Sequence, residues 1–117
     1  MQKVFRSTIM LILIMVSALV HAQTNEQVVI GDPNKASTGR VRVQGKVTSK
    51  EDKVALFGAT LAIRGTNIGA VCDENGNYEF TISTGQFELI VQYVGKVTRV
   101  YDIQVIGNGR LDVALTD

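Results

Sequence analysis

The chain has 117 residues, with 12 Lys+Arg against 11 Asp+Glu and a formal net charge of +1. That length makes one domain at most, and a near-neutral balance with no basic stripe and no run of like charges favours neither nucleic acid nor an anionic membrane surface as a partner. A single cysteine, Cys72, excludes an internal disulfide.

The first 22 residues read as a secretory signal. Lys3 and Arg6 make a positive start, an apolar run covers 9–20, and Val20-His21-Ala22 ends it at the kind of site a signal peptidase reads. A membrane-spanning helix needs roughly 20 apolar residues, so this run is short for an uncleaved anchor. No cysteine follows it, which argues against a lipid anchor. The expectation is export and cleavage before Gln23, which leaves 10 cationic against 11 acidic side chains, a charge of −1, and removes His21, the one histidine.

Residues 23–40 are polar, hold the one proline, Pro33, and read as a flexible lead-in. Within them Glu26–Ile30 is a small apolar island whose plain reading is a tail or an edge strand. The fold is expected over 41–117. Val43, Gly45 and Val47 alternate with Arg42, Gln44, Lys46 and Thr48, the period of two that a half-buried strand requires. Further strands are predicted at 59–64, with Leu61 and Ile63 inward, and at 68–72. The next covers 77–83, where Tyr78, Phe80 and Ile82 alternate with Asn77, Glu79, Thr81 and Ser83. Two more span 86–93, with Phe87, Leu89, Val91 and Tyr93 on one face, and 97–105, with Tyr101, Ile103 and Val105 inward. Leu111, Val113 and Leu115 form the last. Asn75-Gly76 reads as a type I′ hairpin turn, because both central positions need positive φ and these residues reach it at low cost. Seven short strands with turn signals between them predict an all-β, seven-stranded antiparallel β-sandwich, since two amphipathic sheets bury their apolar faces against each other.

Gly58-Ala59-Thr60, Arg64-Gly65-Thr66, Asp73, Asn75-Gly76, Tyr78, Phe80, and Leu89, Val91, Tyr93 and Gly95 occur in an order that resembles the carboxypeptidase-regulatory-like domain. The resemblance runs from Val43 to Leu115. It implies a transthyretin-like fold, and the family recurs as the N-terminal extension of SusC-like TonB-dependent outer-membrane transporters. Lys96 departs from the family's aromatic residue after Gly95, and Cys72 from its threonine before Asp73. Glu26–Ile30, an acidic residue followed by valines, resembles the segment with which TonB-dependent receptors engage TonB by strand addition.

The inventory gives little chemistry. Without a histidine, Ser-His-Asp, Cys-His and histidine-ligated zinc arrangements are excluded, and no phosphate loop occurs. Asp73 and Glu79 are a conceivable carboxylate pair, though solvated surface charges are the better reading. Residues 73–77 suggest a calcium loop, but Gly76 falls at its fourth position and Thr84 at its twelfth, so a plain hairpin capped by the Asp73 side chain is expected instead. Tyr78, Tyr93 and Tyr101 are in phase with their strands' apolar sets and belong to the core or its edge. Cys72 reads as a buried apolar side chain, with a reactive or intermolecular thiol as its rival. No catalytic, cofactor-binding or metal-binding residues are assigned. The resulting expectation is a non-catalytic module in the periplasm or at the outer membrane, associated with TonB-dependent uptake of glycans and with a protein partner, the transporter or the TonB system. Its alternatives are the N-terminal fragment of a split transporter, or a secreted structural or adhesive module.

Overall fold

The computed structural model describes residues 25–35 and 37–117. The expected leader, 1–22, lies outside the described residues. The strands are β1 (Glu26–Ile30), β2 (Arg40–Ser49), β3 (Thr60–Ile63), β4 (Gly69–Val71), β5 (Asn77–Ser83), β6 (Gly85–Gln92), β7 (Arg99–Val105), β8 (Gly109–Arg110) and β9 (Val113–Leu115). A 3-10 turn, Pro33–Lys35, lies between β1 and β2. No helix among the described residues is long and apolar enough to cross a membrane, which says nothing about strands of a barrel.

Two open sheets result. The first has the order β1-β7-β6-β3-β4, and the second β5-β2-β8 with β9 also pairing β2. Alternation places the core between them. From the first sheet come Ile30, Leu61, Ile63, Leu89, Val91, Tyr101, Ile103 and Val105, and from the second Val41, Val43, Val47, Tyr78, Phe80, Ile82, Val113 and Leu115. The inward sets predicted for 77–83 and for Tyr101, Ile103 and Val105 are the buried ones. A fully buried side chain of this kind contributes about 1.5–3 kcal/mol.

Four expectations need correction. Among the described residues nine strands are present where seven were predicted, and three of the pairings, β1 with β7, β2 with β8 and β2 with β9, are parallel. Parallel neighbours need a long crossover rather than a turn, and here most of the domain serves as that crossover. Of the two readings of Glu26–Ile30, the edge strand is the one that forms: β1 pairs all five of its residues with β7, and Ile30 is 1% exposed.

The third correction concerns Asn75-Gly76. β4 and β5 belong to different sheets, so the turn carries the chain from one layer to the other and closes no hairpin. Gly76 has φ of 78°, but Asn75 is not in the positive region, which rules out type I′. The Gly76 N–H donates to the Asp73 carbonyl at 2.9 Å, and the Asp73 Oδ1 accepts from the N–H groups of Asn75 and Asn77 at 2.9 and 3.0 Å. Asp73 caps the turn, as the sequence suggested.

The last strand starts later than predicted: β9 opens at Val113, and Leu111 and Asp112 separate it from β8 opposite Gly45, where an added Cβ would lie 1.8 Å from the Leu111 carbonyl oxygen. Glycine allows that approach. Leu111 N–H donates to the Gln44 carbonyl at 2.9 Å, and the Tyr78 hydroxyl donates to the Leu111 carbonyl at 2.5 Å. Where β8 and β9 do not reach β2, side chains substitute: Asn108 Oδ1 accepts from Arg42 N–H at 2.7 Å and Asp112 Oδ1 from Lys46 N–H at 2.9 Å.

Candidate interaction surface

β1 is the edge strand of the larger sheet, and its geometry decides which of its groups face outward. In a parallel ladder the N–H and C=O of one residue point to the same neighbour, and successive residues alternate. The Ile30 carbonyl accepts from Ile106 N–H at 2.9 Å, so Ile30, Val28 and Glu26 turn their backbone groups to β7. Gln27 and Val29 turn theirs outward. The result is a short open edge, with the Val29 side chain 58% exposed beside it.

This strand is pinned at both ends. At its start the Asn25 amide donates to Asp102 at 3.1 Å, and the Arg99 guanidinium pairs with the Glu26 carboxylate. Arg99 also donates to the Ala114 carbonyl of β9 at 3.1 Å and lies 5.0 Å from the Tyr101 ring centroid, so one side chain ties β1 to both sheets. At its end Ile30 is in the core, and Gly31, with φ of 113°, lets the chain turn against Gly107. The outer face beside β1 is a polar groove of about 750 Å³ that includes Gln27, Arg64, Gln86, Glu88, Asp102 and Gln104.

The other candidates have structural duties. Glu79 and Asp73 line one shallow groove, but each is engaged elsewhere: Glu79 pairs with Arg42 Nε at 2.8 Å, and Asp73 holds its turn. Among the described residues no group of three or more His, Cys, Asp or Glu could hold a metal ion. Cys72 is 1% exposed, and burial, with the Asp73 charge adding to it, pushes its thiol up to about 11. That is the buried apolar reading, because the thiolate is the reactive form. Tyr78 and Tyr101 are 4% and 3% exposed, and burial raises both phenols; Tyr93 is partly buried against the core.

Lys96, the departure after Gly95, anchors a polar cluster. Its ammonium donates to Ser49 Oγ at 2.8 Å, reaches Glu51 at 3.4 Å and pairs with Asp117. Glu51 accepts the Asp117 backbone N–H at 3.2 Å, and this with its other hydrogen bonds holds its carboxyl at about 2. Neither the Lys96 cluster nor Arg99 was assigned from the sequence, since the partners of these two side chains stand 15 to 73 residues away. Along the chain there is no basic stripe, but in space Arg40, Arg42 and Arg110 share the outer face of the second sheet. The spacing of Arg40 and Arg42, two apart on a strand, was the available signal.

A family model described as the CarboxypepD_reg-like domain matches residues 43–117, the part of the chain that builds β3 to β9 and most of β2. The chain belongs to the CarboxypepD_reg-like domain family. A similar relative is TonB-dependent receptor P3 of Formosa agariphila, 28% identical to this CarboxypepD_reg-like chain over 113 residues. That match takes in 97% of the chain and 10% of the receptor, so the chain spans about a tenth of the curated relative's length. Among solved structures, a chain from a type II cohesin–X–dockerin complex of Acetivibrio cellulolyticus is similar at a TM-score of 0.55 and 22% identity, covering 62% of this chain and 52% of that one. Chlorocatechol 1,2-dioxygenase of Pseudomonas putida is similar at 0.54 and 12% identity, covering 81% and 68%. These two likenesses are of fold alone.

Proposed function

We propose that this CarboxypepD_reg-like chain is an exported, non-catalytic interaction module on the periplasmic side of the outer membrane, serving TonB-dependent uptake of nutrients such as glycans. Its contact is strand addition along β1. One observation carries the reading: Glu26–Ile30 is held extended on β7 with the backbone groups of Gln27 and Val29 facing outward. A preordered strand spares a partner the cost of ordering it. The likeness to a TonB-dependent receptor supports this setting, and because it covers 97% of the chain it also supports a second reading, the N-terminal module of such a receptor itself.

The test is a titration of the isotope-labelled protein with a TonB C-terminal domain. The amide signals of Gln27 and Val29 should shift while Phe80, in the core, stays in place. Val29→Pro deletes an outward N–H that β7 does not use, so it should abolish binding and leave the melting curve unchanged. Unshifted β1 signals at saturating TonB domain would end the strand-addition reading.

A further inference from the structure

The second sheet also presents an open face, and its chemistry differs from that of the β1 edge. Alternation on β2 turns Arg40, Arg42 and Gln44 outward. The register sets Thr81 of β5 beside Arg42 and Arg110 of β8 beside Gln44. With Asn108 these side chains line an open groove of about 680 Å³.

The arginines are held in a particular way. Arg42 engages Glu79 through Nε at 2.8 Å, and Arg110 engages Asp112 through Nε at 3.0 Å. Each guanidinium is therefore fixed from its inner nitrogen, and neither Nη pair has a partner among the described residues. Arg40 pairs with no carboxylate among them. Asn108 spends its Oδ1 on Arg42 N–H, which leaves its amide hydrogens for the groove. Asp112 is likewise committed to Lys46 N–H and Arg110. Glu79 and Asp112 are acidic neighbours on this face, but Arg40, Arg42, Lys46 and Arg110 outnumber them. The face is rich in donors and positive in balance, and two of its forks are set for paired N–H···O bonds to an oxyanion.

We propose that this groove binds an acidic oligosaccharide, whose uronate carboxylates pair with Arg40, Arg42 and Arg110 and whose hydroxyls bond Gln44, Thr81 and Asn108. Charge complementarity selects an anion. The face excludes two other anionic partners. Backbone groups of β2 are taken by β5 on one side and by β8, β9, Asn108 and Asp112 on the other, so a peptide could extend this sheet only at its edges, beyond β5 or β8, and not within the groove. None of the exposed large apolar residues, Val29, Val54, Phe57, Val71, Val94 and Val97, lies in the groove, so a lipid surface finds nothing to insert.

The experiment titrates the isotope-labelled protein with hexagalacturonate, with maltohexaose and with hexaglutamate. Hexagalacturonate should shift the amide signals of Arg40, Arg42, Thr81, Asn108 and Arg110. Binding should weaken when salt is raised from about 0.01 M to about 0.15 M, which shortens the screening length from about 30 to about 8 Å. The double variant Arg42→Gln/Arg110→Gln should bind about tenfold more weakly, the loss expected for one charged hydrogen bond or more. Arg64→Gln, on the opposite outer face, should bind as before, and so should Val29→Pro, which separates this site from the β1 edge. Equal response to maltohexaose would overturn the role of charge, equal response to hexaglutamate would overturn the saccharide, and unshifted groove signals would overturn the site.

Discussion

Gly45→Ala tests the packing on which the second sheet closes. Gly45 lies in β2 with an ordinary backbone conformation, so the substitution strains nothing locally. Its Cβ, however, would meet the Leu111 carbonyl oxygen at 1.8 Å, the Leu111 carbonyl carbon at 2.7 Å and the Tyr78 hydroxyl at 2.8 Å. The first two are backbone and cannot swing aside. The segment between β8 and β9 must move outward, which stretches the Tyr78–Leu111 and Leu111–Gln44 hydrogen bonds. Overpacking costs about 1–3 kcal/mol, and each weakened bond about 1 kcal/mol. The sum is roughly 3–5 kcal/mol against a total stability for a domain this size of roughly 5–13 kcal/mol. Gly107→Ala is the control, because its nearest atom among the described residues would be the Lys35 carbonyl oxygen at an ordinary 3.5 Å. Urea melts should show a large fall in midpoint for the first variant and a change under about 0.5 kcal/mol for the second. By heat, the first should lose at least about 12 °C. Matching midpoints for the two variants would refute the close approach.

The cysteine thiol should react with a disulfide reagent near neutral pH only as fast as the protein opens, since burial pushes it up to about 11; immediate labelling of folded protein would contradict its burial. Glu51 titrates at about 2 in the fold against an ordinary value of 4.5, so its stabilising contribution is complete above about 4.5 and is lost as pH falls toward 2. Glu51→Gln should therefore flatten the acid limb of a stability–pH curve, and an unchanged limb would place Glu51 outside the Lys96 cluster. Val28→Pro removes an N–H directed at β7 and should release β1, exposing Ile30 at a cost of about 2–4 kcal/mol; amide exchange at Gln104 reads the release, and protection equal to that of the unaltered protein would contradict the parallel register. Tyr78→Phe should cost about 1 kcal/mol through the lost bond to Leu111, measured as a shift in urea midpoint.

Much of the architecture could be read from alternation. Val41 to Val47, Tyr78 to Ile82 and Tyr101 to Val105 show a period of two, and their buried sets are the ones the period names. Partner choice was less legible. Asn75-Gly76 carries a strong local hairpin signal, yet β4 finds β3 and β5 finds β2, because the apolar faces on either side are needed in different layers. Turn chemistry does not encode the sheet that each flanking strand joins. β1 was only half legible: five residues in a polar stretch read equally as a tail or an edge strand until Ile103, Val105 and Arg99 supply the surface that holds them. The arginine face was likewise invisible along the chain, because Arg110 meets Gln44 only through the parallel pairing of β8 with β2.

That last pairing has a consequence for how the molecule assembles. The middle strand of the smaller layer, β2, waits for neighbours that begin at Gly109 and end at Leu115. A ribosome delivering the chain from its amino end must finish nearly all of it before this layer can close, and contacts so distant in sequence make folding slow. Until then one side of β2 stands open as a template for the wrong strand, and a product stopped before residue 109 would accumulate in that state.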